Sequence, residues 1–399
     1  SPHIEMKKQT MLSFLPMAHS YEQSVQTAFI MGGGRIGFFS GDLKEIVNDL
    51  KTLKPTVLVV VPRLLNRIYN KVMSDVQSSV IKSYLLKHGI NNKQKELQRF
   101  LVRNNGLWDK IVFKKIRDTF GGNLKLVSSG SAPLSSTILN FFRCALGCFV
   151  IEGYGQTECC GPAAAAFPGD YTTGHVGPPV ACSQIKLIDV PEMNYFVDQC
   201  STGEVCIKGA NVFRGYYKNS EKTLETLDEN GWLHTGDIGT WTDYGTLKLI
   251  DRKKHIFKLS QGEYIAPEKI ENIYCQSPYV AQCFVDGDSL RSCVVAIVIP
   301  DIDYLNHWCA QRSINLTVEE ACKNNSFRKT VFEDMVNIGK REGLFSFEQA
   351  KEIHLHNEPF TLENDLLTPT MKTKRNNCRA LFRAKIDEMY SRLETNGQT

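Results

Sequence analysis

Apolar and polar residues alternate along the chain in short segments, with glycine and proline between them. Residues 11–15 and 56–61 are continuous apolar or β-branched runs that stop at Pro16 and Pro62. Runs of this length and composition predict buried strands of an α/β sheet. A third short strand is predicted over 124–127.

Two stretches between these strands predict helices. Residues 66–120 are rich in Lys, Leu, Gln and Arg. We expect helices there, broken near Gly89 and Gly106. A further helix is predicted over 135–146, and either Ser135 or Ser136 can cap its first turn.

The sequence pattern changes after Gly147: from there to about Asp251, short β segments are separated by glycines. The segments 185–188, 203–209 and 246–250 are typical of a small barrel or of curled sheets. The charged strip 251–256 separates this region from the rest and predicts a hinge. We therefore divide the chain into residues 1–250, the linker 251–256 and a smaller α+β domain over 257–399.

The smaller domain shows its own pattern of elements. Pro267 begins a helix with one apolar face, made by Ile270, Ile273 and Tyr274. Two strands are predicted, over 280–285 and 294–299. Thr317 and Glu320 have the spacing of a capping box for a later helix.

Composition and charge exclude several classes of protein. Forty-seven Lys and Arg against 43 Asp and Glu give a net charge of +4, which argues against a dedicated nucleic-acid binder. The longest apolar runs are far short of the ~20 residues that a membrane helix needs, and the first residues lack the apolar core of a secretory signal. The 13 cysteines form no CxxC pair, so we expect reduced thiols; a metal cluster is the alternative.

One glycine-rich segment carries candidate chemistry, and it reads Gly153, Tyr154, Gly155, Gln156, Thr157, Glu158. Its glycines let the backbone approach a ligand, and Tyr154 offers a flat face to a base. Thr157 offers a hydroxyl to phosphate and Glu158 a hard oxygen ligand to Mg²⁺. Taken alone, a glycine-rich turn with an exposed acid explains it as well.

Five other segments occur with it in a fixed order: LPMAHSYEQ (15–23), SSGSAPL (128–134), DENGWLHTGDIGTWTDYGTLKLIDRKK (228–254), QGEYIAPEKIE (261–271) and LTPTMKTKR (367–375). Together the six resemble the motifs of the adenylate-forming superfamily, which joins acyl-CoA synthetases, peptide-synthetase adenylation domains and firefly luciferase. The likeness covers the whole chain and is closest to the eukaryotic long-chain acyl-CoA synthetases. It implies a large adenylate-forming α/β domain, here partial, with sheets and a distorted β-barrel, and a mobile α+β C-terminal domain.

The resemblance implies a nucleotide site in the large domain. Asp237 would accept hydrogen bonds from the ribose hydroxyls and Arg252 would donate to the same sugar. The turn made by Gly130, Ser131, Ala132 and Pro133 would bracket the adenine. Tyr154 would stack on the base, Thr157 would contact phosphate and Glu158 would bind Mg²⁺. For Asp237 alone, a turn residue is the alternative.

It also implies the parts that move and react. Lys372 would bridge the carboxylate and the α-phosphate, although Lys374 lies close by and both lysines suit a solvated loop. Asp251 would be the hinge, and Lys258, Gly262 and Glu263 would line the path of CoA. His19 would lie near the acyl and thiol end, unless it is a packed or solvated histidine. The linker and the smaller domain also carry a cluster of basic residues: Arg252, Lys253, Lys254, Lys258, Lys372, Lys374 and Arg375. This cluster suits the phosphates of ATP and CoA; a solvated basic face or a localisation signal is the alternative.

The implied function is the ATP-dependent conversion of a long-chain fatty acid to its CoA thioester through an acyl-adenylate, with Mg²⁺ as cofactor. A bile-acid or very-long-chain ligase, and a non-catalytic acyl-nucleotide binder, are the competing hypotheses. The resemblance implies the endoplasmic reticulum or outer mitochondrial membrane, reached through a segment outside these residues, with the catalytic part facing the cytosol. Chain-length preference and oligomeric state stay open.

One expected motif is missing. The family's Ser/Thr/Gly-rich phosphate loop with its lysine should precede LPMAH, and 1–10 offer no substitute. We therefore expect that the sequence starts partway through the enzyme and that this polypeptide alone is catalytically impaired.

Overall fold

The computed structural model describes residues 5–42, 45–77, 79–287, 289–368 and 371–395. Backbone contacts divide the chain into two compact units, Ser1–Leu249 and Ile250–Thr399, which we call the large and small units. The roles given above to the predicted domains stay predictions.

The large unit contains a six-stranded sheet with the order β2-β1-β3-β4-β5-β6. Its strands are β1 (Thr10–Ser13), β2 (Arg35–Phe38), β3 (Val57–Val60), β4 (Leu126–Ser129), β5 (Phe149–Gln156) and β6 (Gly161–Ala165). The first five run parallel, and β6 returns antiparallel to β5. Every residue of β3 is buried, as expected for a parallel strand covered on both faces. The strand predictions at 11–15, 56–61 and 124–127 are confirmed to within two residues.

Seven helices accompany this sheet in the described part of the large unit: α1 (Ser20–Met31), α2 (Ile46–Leu53), α3 (Pro62–Gln77), α4 (Val80–Gln98), α5 (Leu107–Ile111), α6 (Lys114–Thr119) and α7 (Ser136–Leu146). Ser135 caps α7 through its side chain, which accepts from the Ile138 N–H. The predicted break at Gly89 is wrong, because Gly89 lies inside α4. A Cβ there would meet Phe113 at 3.2 Å, so this glycine permits close packing.

A second sheet of the large unit has the order β10-β9-β8-β7. It comprises β7 (Ser183–Ile188), β8 (Thr202–Gly209), β9 (Leu233–Trp241) and β10 (Leu247–Arg252), with the short helices α8 (Val197–Cys200) and α9 (Ser220–Thr226) between strands. β8 pairs antiparallel with both β7 and β9. The sheet is open, so the expected barrel is not closed among the described residues.

The small unit has a three-stranded sheet and a hairpin. Its strands are β11 (Phe257–Lys258), β12 (Tyr264–Ile265), β13 (Val280–Asp286), β14 (Val295–Pro300) and β15 (Glu352–Leu355). Its helices are α10 (Pro267–Tyr274), α11 (Ile302–Gln311), α12 (Val318–Lys323), α13 (Asn325–Arg341) and α14 (Arg375–Thr395). The central strand β14 is buried throughout and pairs antiparallel with β13 and parallel with β15. The predicted start of α10 at Pro267 and the capping box of Thr317 and Glu320 are confirmed.

All 13 cysteines are free thiols, as expected from their spacing. Among the described residues, no helix combines the length and the apolar character needed to cross a bilayer.

Candidate active site

The candidate site of the large unit lies at one edge of the six-stranded sheet. β4 and β5 run parallel, so their carboxyl ends meet at the same edge. The turn 130–133 directly follows β4, and Ala132 and Pro133 in it are exposed. The glycine-rich segment occupies the end of β5. The adjacency of the two strands thus brings two of the predicted nucleotide-binding segments together.

A buried carboxylate ties these two segments to each other. Glu152 on β5 accepts a 3.2 Å hydrogen bond from the Leu134 N–H, one residue past the turn. The side chain is 7% exposed, and burial raises the pKa of Glu152 to about 7. The position of the turn therefore depends on an acid that the sequence analysis did not single out.

Gly155 has a structural reason to be glycine. A Cβ at this position would lie 1.8 Å from the Gly161 carbonyl oxygen on β6. Any side chain would force the two strands apart. We predicted that this glycine lets the backbone approach a ligand; within the large unit it lets β6 approach β5.

Tyr154 and Asp237 form a second buried polar contact of the site. The Tyr154 hydroxyl donates to Asp237 Oδ2 at 2.6 Å, and each residue is 8% exposed. Burial, followed by the neighbouring Asp237 carboxylate, raises the pKa of Tyr154 well above its ordinary value. The backbone N–H of Asp237 is held in turn by Thr235 Oγ1 at 3.1 Å. Two of the predicted site residues, one on β5 and one on β9, are thus in direct contact.

Thr157 and Glu158 lie in a helical turn immediately after β5. Glu158 Oε1 accepts a 2.8 Å bond from the Tyr216 hydroxyl, and its backbone carbonyl accepts from the Phe213 N–H. Thr157 is exposed beside it. A positioned carboxylate next to a hydroxyl fits Mg²⁺, which takes one or two protein oxygens and fills its octahedron with water and phosphate.

α1 starts at the same edge of the sheet. The Tyr21 hydroxyl bonds to Ser128 Oγ at 2.7 Å and to its carbonyl at 3.0 Å. The Tyr21 ring lies 3.3 Å from where a Gly130 Cβ would be, so this glycine leaves room for the ring. His19 caps α1, because its Nδ1 accepts from the Tyr21 N–H at 3.2 Å. The structure thus gives His19 a structural contact, and its predicted place near the acyl group stays a prediction.

In the small unit, the Asp251 side chain accepts a hydrogen bond from the first turn of α10. Its Oδ1 accepts from the Arg252 N–H at 2.6 Å and its Oδ2 accepts from the Glu268 N–H at 3.0 Å. Burial, and then the neighbouring Glu268 charge, raises the pKa of Asp251 to about 8. The predicted hinge residue is therefore a buried helix-capping group.

Asp251, His255 and Glu268 place their donor atoms within 4.8 Å of one another, close enough to be examined as a metal site. Both Asp251 oxygens already accept backbone hydrogen bonds, and His255 Nδ1 bonds to Glu268 Oε1 at 2.9 Å. Lys372 and Arg375 also add positive charge around Glu268. The cluster is satisfied by the protein itself, and we assign no ion to it.

Lys372 lies exposed on a tight hairpin that leads into α14. Its carbonyl accepts from the Thr368 N–H at 2.8 Å, and its own N–H donates to Thr368 Oγ1 at 3.1 Å. Lys374, two residues on, pairs with Asp365. Residues 369 and 370 of the predicted motif lie outside the described residues.

The predicted CoA segment is the turn between β11 and β12, which pair antiparallel. Gly262 is exposed in this turn with φ +99°, a conformation that glycine adopts without strain. Glu263 is exposed beside it, and Lys258 Nζ lies 5.2 Å from the centre of the Tyr264 ring. Arg252, at the end of β10, is exposed as well.

Five residues that support the site were absent from the predicted set: Tyr21, Glu152, Tyr216, Glu271 and Arg375. Tyr21, Glu271 and Arg375 stand in the motifs quoted above, but no individual site role was predicted for them. Glu152 and Tyr216 stand outside those motifs. One signal could have identified Glu152. Residues along β5 alternate between buried and less buried positions, and a carboxylate at a buried position needs a hydrogen-bond partner.

The parallel sheet, the buried Tyr154–Asp237 contact and the carboxylate beside Thr157 define a nucleotide-binding α/β protein of the adenylate-forming class. The family model described as AMP-binding enzyme matches residues 2–217. The chain belongs to that family.

Relatives of known activity resemble the chain along most of its length. Long-chain-fatty-acid–CoA ligase 1 of Cavia porcellus is 53% identical over 383 residues, which are 96% of this chain and 55% of that protein. Long-chain-fatty-acid–CoA ligase 1 of Homo sapiens is 51% identical, with the same coverage. The peroxisomal long chain acyl-CoA synthetase 7 of Arabidopsis thaliana is 46% identical, again with 96% and 55% covered. The chain therefore spans about half the length of the relatives it matches.

Solved structures agree with the fold. The A domain of the carboxylic acid reductase from Segniliparus rugosus, in complex with AMP and a co-purified carboxylic acid, has a TM-score of 0.75 and 29% identity, covering 96% of this chain and 55% of that one. The adenylation domain of the carboxylate reductase from Mycobacterium chelonae gives the same TM-score and identity, with 96% and 54% covered. The predicted α/β adenylate-forming fold is confirmed.

Proposed function

We propose that the protein is an ATP-dependent ligase that converts long-chain fatty acids to their CoA thioesters. The observation that carries this proposal is the roughly 50% identity, along 96% of the chain, to proteins named long-chain-fatty-acid–CoA ligases. The geometry of both units supports it, because the predicted nucleotide and lysine motifs are intact and held by buried contacts.

A carboxylate is a poor acyl donor, since its leaving group would be oxide. In the first half-reaction a carboxylate oxygen attacks the α-phosphorus of ATP and pyrophosphate leaves. The exposed Lys372 ammonium neutralises charge that develops between the carboxylate and the α-phosphate. Asp237, fixed by Tyr154, accepts hydrogen bonds from the ribose hydroxyls. Glu158 would hold Mg²⁺, which would supply positive charge against the phosphates.

In the second half-reaction the CoA sulfur attacks the acyl carbon, AMP leaves and the thiol proton is released. The exposed Gly262 turn and Lys258 suit an extended pantetheine chain and a phosphate-bearing partner. Asp251 serves as the hinge at which the small unit turns between the two half-reactions.

We further propose that the protein works at the endoplasmic reticulum or outer mitochondrial membrane with its catalytic part facing the cytosol. Thirteen free thiols support a reducing compartment. Fractionation of cells that express a tagged protein, followed by protease protection, tests this; a lumenal location would contradict it.

The function is tested by AMP release from the protein with its natural flanking sequence, given MgATP and oleate, with and without CoA. We expect sustained AMP formation that needs both oleate and CoA, together with oleoyl-CoA as product. AMP formation with a bile acid or a very-long-chain acid, but not with oleate, would show that the enzyme activates that class of acid instead. No acid-dependent AMP would contradict a ligase.

A further inference from the structure

We propose that Arg375 and Glu271 are positioning residues for Lys372, and that α10 links this support to Asp251. The proposal rests on the proposed function for what Lys372 does. It adds residues that hold the lysine in place and a physical connection between the lysine and the hinge.

The guanidinium of Arg375 is enclosed on several sides. Nη1 donates to Glu271 Oε1 at 2.6 Å, and Nη2 donates to the Val285 carbonyl on β13. Its Cζ lies 4.8 Å from the centre of the Phe284 ring. The same Glu271 oxygen accepts from the Val285 N–H at 2.8 Å. Arg375 is therefore bound at once to α10 and to the small unit's sheet.

This fixed point is only three residues from Lys372. The hairpin that carries Lys372 is closed by two contacts: Leu367 and Thr373 form a β-bridge, and the Lys374 N–H donates to the Leu366 carbonyl at 2.9 Å. Arg375 is then the first residue of α14. Because so little chain separates the two residues, a shift of the guanidinium moves the backbone that carries the lysine.

α10 extends the connection to the hinge. Glu271 stands one turn after Glu268, whose N–H donates to Asp251 Oδ2 at 3.0 Å. Two carboxylates thus hold this short helix, Asp251 at its first turn and Glu271 towards its end. A movement at the hinge is passed along α10 to Arg375 and so to the Lys372 hairpin.

The Glu271–Arg375 ion pair is better suited to positioning the Lys372 hairpin than to stabilising the fold. Glu271 and Arg375 are 8% and 9% exposed. Buried ion pairs of this kind are often replaceable by apolar residues without loss of stability. The planar fork of arginine, however, fixes the geometry of two acceptors in a way that lysine does not reproduce.

The test compares Arg375→Lys with Arg379→Lys in the protein with its natural flanking sequence. Arg379 lies one turn further along α14 and pairs with Asp286, so it controls for the loss of an arginine–carboxylate pair on the same helix, although its side chain is 46% exposed against 8% for Arg375. The two half-reactions are measured separately, as oleate-dependent ATP–pyrophosphate exchange and as conversion of supplied oleoyl-adenylate and CoA to oleoyl-CoA. We expect Arg375→Lys to lose on the order of 100-fold in exchange, the cost of misplacing a reacting group by ~1 Å, and to keep the second half-reaction within about threefold.

An equal loss in both half-reactions would show a structural role alone and overturn the proposal, as would unchanged exchange. If Arg375→Lys does not fold, Glu271→Gln tests the same contact, because the amide keeps an acceptor and removes the charge.

Amide hydrogen exchange of residues 366–374 keeps the positioning claim separate from the proposed function. We expect faster exchange in Arg375→Lys than in Arg379→Lys, whatever acid the enzyme activates. Equal amide hydrogen exchange in the two variants would overturn the proposal even if the protein proves to be a fatty acid ligase. A wild type with no oleate-dependent ATP–pyrophosphate exchange would instead contradict the proposed function.

Discussion

The Tyr154 hydroxyl donates a 2.6 Å hydrogen bond to Asp237, a residue 83 positions further along the chain. The contact joins the end of the parallel sheet to the second, open sheet of the large unit. It occupies one carboxylate oxygen, Oδ2, and fixes the direction in which the other can accept a hydrogen bond. A buried contact of this kind suits the proposed role of Asp237, which is to accept hydrogen bonds from a ribose.

Tyr154→Phe removes the donor and leaves the ring in place. A hydrogen bond to a charged group contributes about 1.5–3 kcal/mol, so we expect the KM for ATP to rise by about 10- to 100-fold while kcat changes less. Initial-rate kinetics with varied ATP measure this. Tyr244→Phe, at an exposed tyrosine of the same unit, is the control and should change neither constant.

Glu152 makes the stability of the large unit depend on pH. In the unfolded chain its pKa is about 4.3, whereas burial raises the pKa of Glu152 to about 7 in the folded protein. The favourable contribution of Glu152 to the free energy of unfolding is therefore fully present below about pH 4, and it is lost as the pH rises through 7.

Glu152→Gln keeps an acceptor for the Leu134 N–H and abolishes the titration. We expect the variant to be more stable than wild type at pH 8, by up to about 3 kcal/mol, and to lose this advantage at pH 4.5. Urea unfolding followed by tryptophan fluorescence at the two pH values measures the difference. An unchanged difference across pH would show that the pKa of Glu152 is the same in the folded and unfolded states, which contradicts the prediction.

Much of the fold follows from local sequence, because buried strands and capped helices carry strong short-range signals. Residues 56–61 predict β3 because five apolar branched side chains, Val57 to Val61, stand together. Ser135 caps α7 as its position requires. Gly89 was misinterpreted because its meaning depends on Phe113, which lies 24 positions away and meets it only in the folded unit.

The candidate site divides in the same way. Glu158, Asp237 and Lys372 stand in motifs, so the sequence identifies them. Glu152 and Arg375 act by holding other residues, and their partners are set by tertiary packing that no local pattern records. Asp251 was predicted as a hinge, but its contact with the Glu268 N–H required the structure.

The Glu158 carboxylate should govern the response to Mg²⁺. Glu158→Gln keeps one oxygen donor but removes the negative charge of the side chain, so we expect at least a tenfold higher Mg²⁺ concentration for half-maximal rate. Tyr216→Phe, which removes only the 2.8 Å bond to Glu158, should raise it by a smaller factor. Titration of the rate with Mg²⁺ at saturating ATP measures both. Equal Mg²⁺ responses in Glu158→Gln and wild type would contradict Glu158 as a ligand.

The stability of the helical layer of the large unit depends on a buried ion pair. Lys93 Nζ lies 3.1 Å from Asp109 Oδ2, and the two side chains are 2% and 1% exposed. Asp109→Ala leaves the buried lysine with one carboxylate partner, Glu96 at 3.2 Å, and takes a partner from Arg117 as well. We therefore expect the free energy of unfolding to fall by about 3 kcal/mol.

The double variant Lys93→Met with Asp109→Ala is the control for this pair. It should lose much less than the sum of the single variants, because the buried lysine charge is removed together with its Asp109 partner. Additive losses in chemical denaturation would show that the two charges do not interact.

The central claim is that this chain activates a fatty acid by adenylation before CoA takes part. ATP–pyrophosphate exchange, measured in the protein with its natural flanking sequence and without CoA, tests it most directly. We expect exchange that requires oleate, is lost in Lys372→Ala and is retained in Lys374→Ala, since Lys374 is paired with Asp365. Exchange that is absent with oleate, or that survives in Lys372→Ala, would contradict it.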